Sequence, residues 1–266
     1  MAGIHLIIQY CNDPRSQRQA EFDECLRRNL AHPAIVAIHN LVEHHTIVPD
    51  EFRTHAKVQE HRVNRWMTYQ DAFAYANEHL KDQVVAIMNL DIFLDPSSNW
   101  GDLGLLASGV VLCLSRFEWD IDGRVFRDPG FERIGCANSQ DAWIFQAPFD
   151  VPDCDFEIGT LGCDNAIAER IKRTGRIPLN AASRYRIFHF DRFRGKTSAN
   201  QQDVHRGDRA ARPRRRPEEE GQYLLPDMDQ VRSVDQLLTA LNVPDLQRYA
   251  VICDVISRFV RIHNGE

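Results

Sequence analysis

The chain of 266 residues has no Cys-x-x-Cys pair, no internal repeat with a period of roughly 20 to 50 residues, and no apolar run approaching the ~20 residues that a membrane helix needs. It also lacks basic excess. With 38 acidic against 32 basic side chains the formal net charge is −6, so no cationic field invites a nucleic-acid backbone and nucleic acid is not an expected partner. The seven cysteines, at 11, 25, 113, 136, 154, 163 and 253, are odd in number and scattered, which speaks against a zinc knuckle or disulfide framework and reads them as reduced packing residues. The opening Met-Ala-Gly-Ile-His-Leu-Ile-Ile lacks the basic start of a signal peptide. A soluble, cytoplasmic protein with no transmembrane segment is expected. What is present is ordinary globular composition, 43% hydrophobic and 26% charged, in a chain long enough for one large domain or two small ones.

Apolar residues recur with the two periods of regular structure. Ile4 to Tyr10 suits a buried strand, broken by Cys11-Asn12-Asp13-Pro14. Ala20, Phe22, Cys25, Leu26 and Leu30 space an amphipathic helix that starts with Ser16 as N-cap and ends at His32-Pro33, and Ile35 to Val42 completes a βαβ unit. Thr68 caps a second helix reaching Leu80. Val84 to Met88 then reads as a strand covered on both faces. Shorter strands are expected at Val110 to Leu114, Ala142 to Phe145 and Ile187 to Phe190, with a helix from Asn165 to Thr174 closed by Gly175. The alternation predicts an α/β fold with a mostly parallel, Rossmann-like central sheet flanked by helices over residues 1–194, and ligands bind such sheets at the carboxyl ends of the strands.

Residues 195–221 contain hardly any apolar side chain and carry Arg206, Arg209, Arg212, Arg214, Arg215 and Arg216 ahead of Glu218-Glu219-Glu220, the composition of a mobile loop or linker. Residues 222–266 regain helical periodicity through Leu237, Leu238, Leu241, Val251, Ile252, Val255, Ile256 and Phe259. A C-terminal helical extension packed on the domain is expected.

Three motifs carry chemistry. Asn89-Leu90-Asp91 follows the buried strand, where Asp91 projects into the ligand crevice and suits a hard divalent ion bearing phosphate oxygens; the same residue would equally cap the turn before Asp95-Pro96. Gly159-Thr160-Leu161-Gly162-Cys163-Asp164-Asn165 places two glycines and Asp164 at a helix start, as ligand site or as plain cap. His189, between Phe188 and Phe190 on a strand, reads by itself as a satisfied core histidine. His39, His44, His45, His55 and His61 show no metal spacing and are expected at the surface.

In this order the three motifs resemble the nucleotide-diphospho-sugar transferase (A-type glycosyltransferase) fold, over roughly residues 4 to 191. Tyr10-x-x-x-Pro14-x-x-x-Arg18-Gln19, Ser139-Gln140-Asp141-Ala142-Trp143 and Gly162-Cys163-Asp164-Asn165 also look like bacterial and large-virus proteins of this fold. The resemblance implies Asp91 as metal-binding acid, Asp164 as catalytic base of an inverting reaction and His189 as a later metal ligand. It implies a nucleotide-diphosphate sugar donor, an acceptor hydroxyl of unknown identity and a divalent metal, Mn or Mg. One departure is Asn89, which stands where the family's motif has its first acid. Tyr10, Asn12, Arg18, Arg65 and Asn89 fall where a nucleotide would be held, and Asp141 beside Trp143 suits an acceptor or sugar surface. A non-catalytic nucleotide-sugar-binding protein and a nucleotidyltransferase are the alternatives, although no Gly-rich phosphate loop with Arg and Lys follows the first strand.

Overall fold

In the computed structural model the described residues are 3–119, 125–127, 136–137, 139–160, 162–192, 217–223 and 225–226. The helices expected within 234–262 and the arginines from 206 to 216 lie outside them.

Strand β1 (Ile4–Ile8), helix α1 (Ser16–Ala31) and strand β2 (Ile35–Glu43) form the βαβ unit, with β1 and β2 parallel. The start of α1 differs from expectation. Arg15 is the N-cap position, and Ser16 is the first helical residue. The turn is held instead by Asp13, whose carboxylate accepts from the Arg15 backbone N–H at 2.9 Å. A single helical turn, α2 (Asp50–Arg53), leads to β3 (Val58–Val63), which lies parallel to β2 at the sheet edge. Helix α3 (Tyr69–His79) begins at Thr68 with a full capping box, since the Thr68 side chain accepts from Asp71 N and the Asp71 carboxylate accepts from Thr68 N. Strand β4 (Val84–Met88) follows, buried throughout.

The remaining elements are β5 (Ile92–Leu94), β6 (Val110–Leu114), β7 (Phe117–Trp119), β8 (Val125–Arg127), β9 (Cys136–Ala137), β10 (Ala142–Gln146), α4 (Cys163–Arg173), β11 (Ile177–Leu179), β12 (Ile187–His189) and β13 (Leu225–Pro226). The main sheet has seven strands in the order β11-β6-β10-β4-β1-β2-β3. Strand β10 runs antiparallel to both its neighbours, and the other pairs are parallel. Alternate residues feed two cores. Ile4, Leu6 and Ile8 pack with Leu26 and Leu30 of α1, whereas Ile7, Val85 and Ile87 pack with Phe73 of α3 and Ile167 of α4. Helices on opposite faces make the sheet doubly wound. The order reverses between β1 and β4, which opens a crevice at their carboxyl ends.

A second sheet, β5-β12-β7-β8, grows directly from the end of β4. Phe93, Phe188 and Phe190 form its own small core with Cys25 of α1, so β12 and β7 are held against the crevice.

His39 and His61 are not free surface residues. His39 is 2% exposed, because the alternation of β2 turns it toward α3. It stacks between His5 and His61 with ring centroids 5.3 and 6.3 Å away. The Tyr75 hydroxyl lies 2.9 Å from His39 Nδ1 and 2.6 Å from His61 Nε2, which satisfies the buried ring. Among the described residues no helix is long and apolar enough to cross a membrane.

Candidate active site

Asp91 lies in the turn between β4 and β5, buried, with its backbone carbonyl accepting from Phe190 N at 3.0 Å. Across from it stands His189 at the end of β12. Its Nε2 is 3.2 Å from Asp91 Oδ2 and its Nδ1 is 2.8 Å from Glu118 Oε2 on β7. Asp191 completes the group, 3.5 Å from His189 Nε2. One donor atom from each of Asp91, His189 and Asp191 falls within 4.8 Å of the others. Two carboxylates and an imidazole fit a divalent ion of the manganese or magnesium kind. Glu118 on the far nitrogen fixes the ring, as metal-binding histidines require.

The electrostatics of the cluster are those of excess acid. Burial alone would push His189 down, but Asp91 and the hydrogen bonds to Asp91 and Glu118 outweigh it and hold the imidazole at about 9. Against burial, which pushes it up, His189 and Arg116 hold Glu118 down at about 2. Arg18 of α1 reaches in as a further cation, paired with Asp91, with Glu21 at 2.8 Å and with Asp191 at 2.9 Å. The four carboxylates of Glu21, Asp91, Glu118 and Asp191 thus face Arg18, His189 and Arg116, and the acids outnumber the cations.

Arg116, just after β6, links this cluster to a second one. Its Nε donates to Glu118 Oε1 at 2.8 Å and its Nη1 to Asp141 Oδ2 at 2.9 Å. Asn89 Nδ2 donates to the same Asp141 carboxylate at 2.9 Å, and Asn89 N to the Asp141 carbonyl at 3.2 Å. Asp164 is the second residue of α4. The N-cap is Gly162 with φ +82°, a left-handed conformation that favours glycine. The Gln140 backbone N–H donates to Asp164 Oδ2 at 3.3 Å, and the Cys163 thiol lies 3.1 Å from Oδ1. Protein atoms crowd Asp164, yet part of its surface still reaches solvent. Burial, helped by the charge of Asp141, pushes its pKa up to about 6.

The structure therefore brings Asp91, His189 and Arg18 into one cluster and ties Asn89, Asp141 and Asp164 into the next. Tyr10 and Asn12 lie outside both clusters, and Tyr10 is a correction, since it is 1% exposed and packs in the core with Leu26 of α1. The Tyr10 hydroxyl donates to Asp23 at 2.6 Å, and the Asn12 side chain exchanges two hydrogen bonds with the Ile47 backbone at 2.8 Å. Arg65 pairs with Asp71 and Asp155 at 2.9 and 3.0 Å. Trp143 is a correction. It shares a strand face with Asp141 as the alternation requires, but it is 0% exposed and packs edge-on against Tyr69 at 4.9 Å, where no sugar reaches it.

Asp191, Glu118, Arg116 and Glu21 escape a motif search, though each has a signal. Asp191 stands two residues after His189 and shares its side of the chain. Arg116 and Glu118 directly follow the apolar run of β6, the position where a ligand crevice opens. Glu21 follows Arg18 by three residues on one helix face.

No protein-family model matches the chain, and no curated protein matches it. Among solved structures it is similar to GalNAc-T7 with UDP, GalNAc and Mn2+, at 11% identity and a TM-score of 0.48 over 71% of this chain and 44% of that one. It is similar also to the mannosyltransferase PcManGT from Pyrobaculum calidifontis in complex with GDP-Man and Mn2+, at 10% identity and 0.47 over 71% and 56%. A third is S. aureus TarS 1-349 in complex with UDP-GlcNAc, at 11% and 0.48 over 74% and 61%. This chain thus spans less than two thirds of the length of each. Its own strand order makes it a doubly wound, Rossmann-like α/β fold whose acidic cluster sits at the reversal point of the sheet.

Proposed function

We propose that the protein is a metal-assisted glycosyltransferase that moves a sugar from a nucleoside-diphosphate donor to an acceptor hydroxyl. The observation that supports this most is the convergence of an Asp91–His189–Asp191 donor set with a carboxylate of raised pKa, Asp164, through the Asn89–Asp141–Arg116–Glu118 contacts. A leaving diphosphate gains charge as the sugar departs, and a bound Mn or Mg ion supplies the opposite charge. Asp91, Asp191 and His189 would hold that ion, and Glu118, 2.8 Å from His189 Nδ1, keeps the other ring nitrogen turned toward Asp91 and Asp191. Asp164 takes the proton of the acceptor hydroxyl, its basicity raised by burial and by Asp141. Direct attack by that deprotonated hydroxyl on the sugar carbon, with the diphosphate leaving from the opposite face, gives inversion. Asn89 and Arg116 fix Asp141, which faces the acceptor. Asn12 and Arg65 would border the nucleoside end of the donor.

The test is release of nucleoside diphosphate from a panel of UDP- and GDP-sugars with manganese and simple alcohol acceptors. Metal-dependent release is expected, lost in Asp91→Asn and Asp164→Asn. Tight donor binding without release would make the protein a binding module, and pyrophosphate release from a nucleoside triphosphate would make it a nucleotidyltransferase.

A further inference from the structure

We infer that Arg18 is the resident counter-cation of the acidic cluster, and that a divalent ion enters by displacing its guanidinium from Asp91. The inference rests on the metal site proposed above. Arg18 is 2% exposed, and the hydrogen-bond and ion-pair acceptors of its guanidinium all belong to this cluster. Nη2 donates to Asp91, and Nη1 to Glu21 at 2.8 Å and to the Phe190 carbonyl at 3.2 Å, with Asp191 at 2.9 Å. The guanidinium lies over the Phe22 ring, 4.4 Å from its centroid. An arginine so engaged is not placed to grip a nucleotide; it neutralises.

That role answers a question the cluster poses. Glu21, Asp91 and Asp191 are buried or nearly so, and buried carboxylates without cations are strongly unfavourable. Arg18 lets the protein fold around them before any ion arrives. The atom at issue is Asp91 Oδ2, which accepts from Arg18 Nη2 and lies 3.2 Å from His189 Nε2. An ion shared by Asp91 and His189 competes for that oxygen, while the guanidinium retains Glu21 and the Phe190 carbonyl. Arg18 therefore weakens metal binding while stabilising the metal-free protein.

Manganese binding, followed by electron paramagnetic resonance of the free ion, and thermal melting in chelator or in manganese separate this from a merely structural arginine. Arg18→Gln is expected to melt below the wild type in chelator, to recover in manganese and to bind manganese roughly tenfold or more tightly. Arg18→Lys keeps the charge and is expected to stay within a few fold of the wild-type affinity. Should Arg18→Gln not fold in chelator, refolding on titration with manganese is the expected outcome. Equal or weaker manganese binding by Arg18→Gln than by the wild type, or no rescue by the ion, overturns the inference and leaves the metal site standing. No manganese binding by the wild type at millimolar concentration overturns both.

Discussion

In the proposed reaction Asp164 is the residue that carries the chemistry, because a base that deprotonates an alcohol near neutral pH works best with a pKa near that pH. Burial and Asp141 hold it at about 6, above the ordinary 3.8. A raised folded-state pKa means that folding prefers the protonated acid. Its stabilising contribution is full below about pH 4 and is lost as the pH rises through 6. At pH 8 the charged group therefore costs stability, on the order of 1–3 kcal/mol once contact with solvent is allowed for. Asp164→Asn keeps the shape and removes the charge. Calorimetry is expected to show a higher Tm than the wild type at pH 8 and little difference at pH 4, while transfer falls ~10²- to 10⁴-fold. A lower Tm at pH 8 would instead mark Asp164 as a structural residue. Glu118 is the second such residue. Glu118→Gln removes the carboxylate on His189 Nδ1 and is expected to weaken manganese binding by roughly 10- to 100-fold, read by calorimetric titration.

Among the elements, the three parallel strands β1, β2 and β3 align His5, His39 and His61 into a stack that α3 covers with Tyr75 and His79. Burial lowers His39 to about 4, with the neighbouring histidines adding to the effect, and burial lowers His5 and His61 as well. A depressed histidine pKa contributes stability above about pH 6.5 that is lost as the pH falls toward 4. His39→Gln is therefore expected to be less stable than the wild type at pH 8, and the gap to close by pH 4.5. A gap that stays constant across this range would show that the stack does not sense protons. Arg170 of α4 presents a different case. It is 0% exposed and donates to the Gly221 carbonyl at 2.6 Å and to the Pro217 carbonyl at 3.1 Å, fastening residues 217–223 to the helix. Arg170→Met is expected to cost about 1–3 kcal/mol through the carbonyls left without a donor, and to speed amide exchange at Tyr223, whose N–H donates to the Asn165 carbonyl at 3.0 Å. Slow exchange at Tyr223 in the variant would mean that the segment is held by other contacts. The elements with strong local signals were legible in the sequence. Thr68 as a cap ahead of helical spacing to Leu80 announces α3, and the unbroken run Val84–Met88 announces β4. Strand β3 was not, because Gln59, Glu60, His61 and Arg62 are polar in succession at a sheet edge. The three-residue strands β5, β7 and β11 are too short to show a period, whereas β12 showed through the apolar run around His189.

For the whole molecule, the candidate site assembles from segments far apart in the chain. Asp91 and His189 are 98 residues apart, and Arg18 and Asp91 are 73 apart. Asp91 and Asp164 stood out in the sequence because one follows an apolar run and the other opens a helix, whereas His189, which reads alone as a core histidine, was singled out only by the resemblance. The function of Arg18 did not, since only the fold shows that α1 delivers it onto Asp91 and Asp191. Trp143 misled for the same reason: alternation gives the side of a strand, and only the packing of α3 and α4 tells whether that side is open. The claim on which the site stands is that Asp91, His189 and Asp191 hold a divalent ion that bridges to a nucleoside diphosphate. Calorimetric titration of UDP and GDP into the wild type and Asp91→Asn, with manganese or with chelator, tests it directly. At least one nucleotide is expected to bind the wild type tenfold or more tightly with manganese, and Asp91→Asn to lose that gain. Equal affinity with and without manganese, or no binding of either nucleotide, would contradict it.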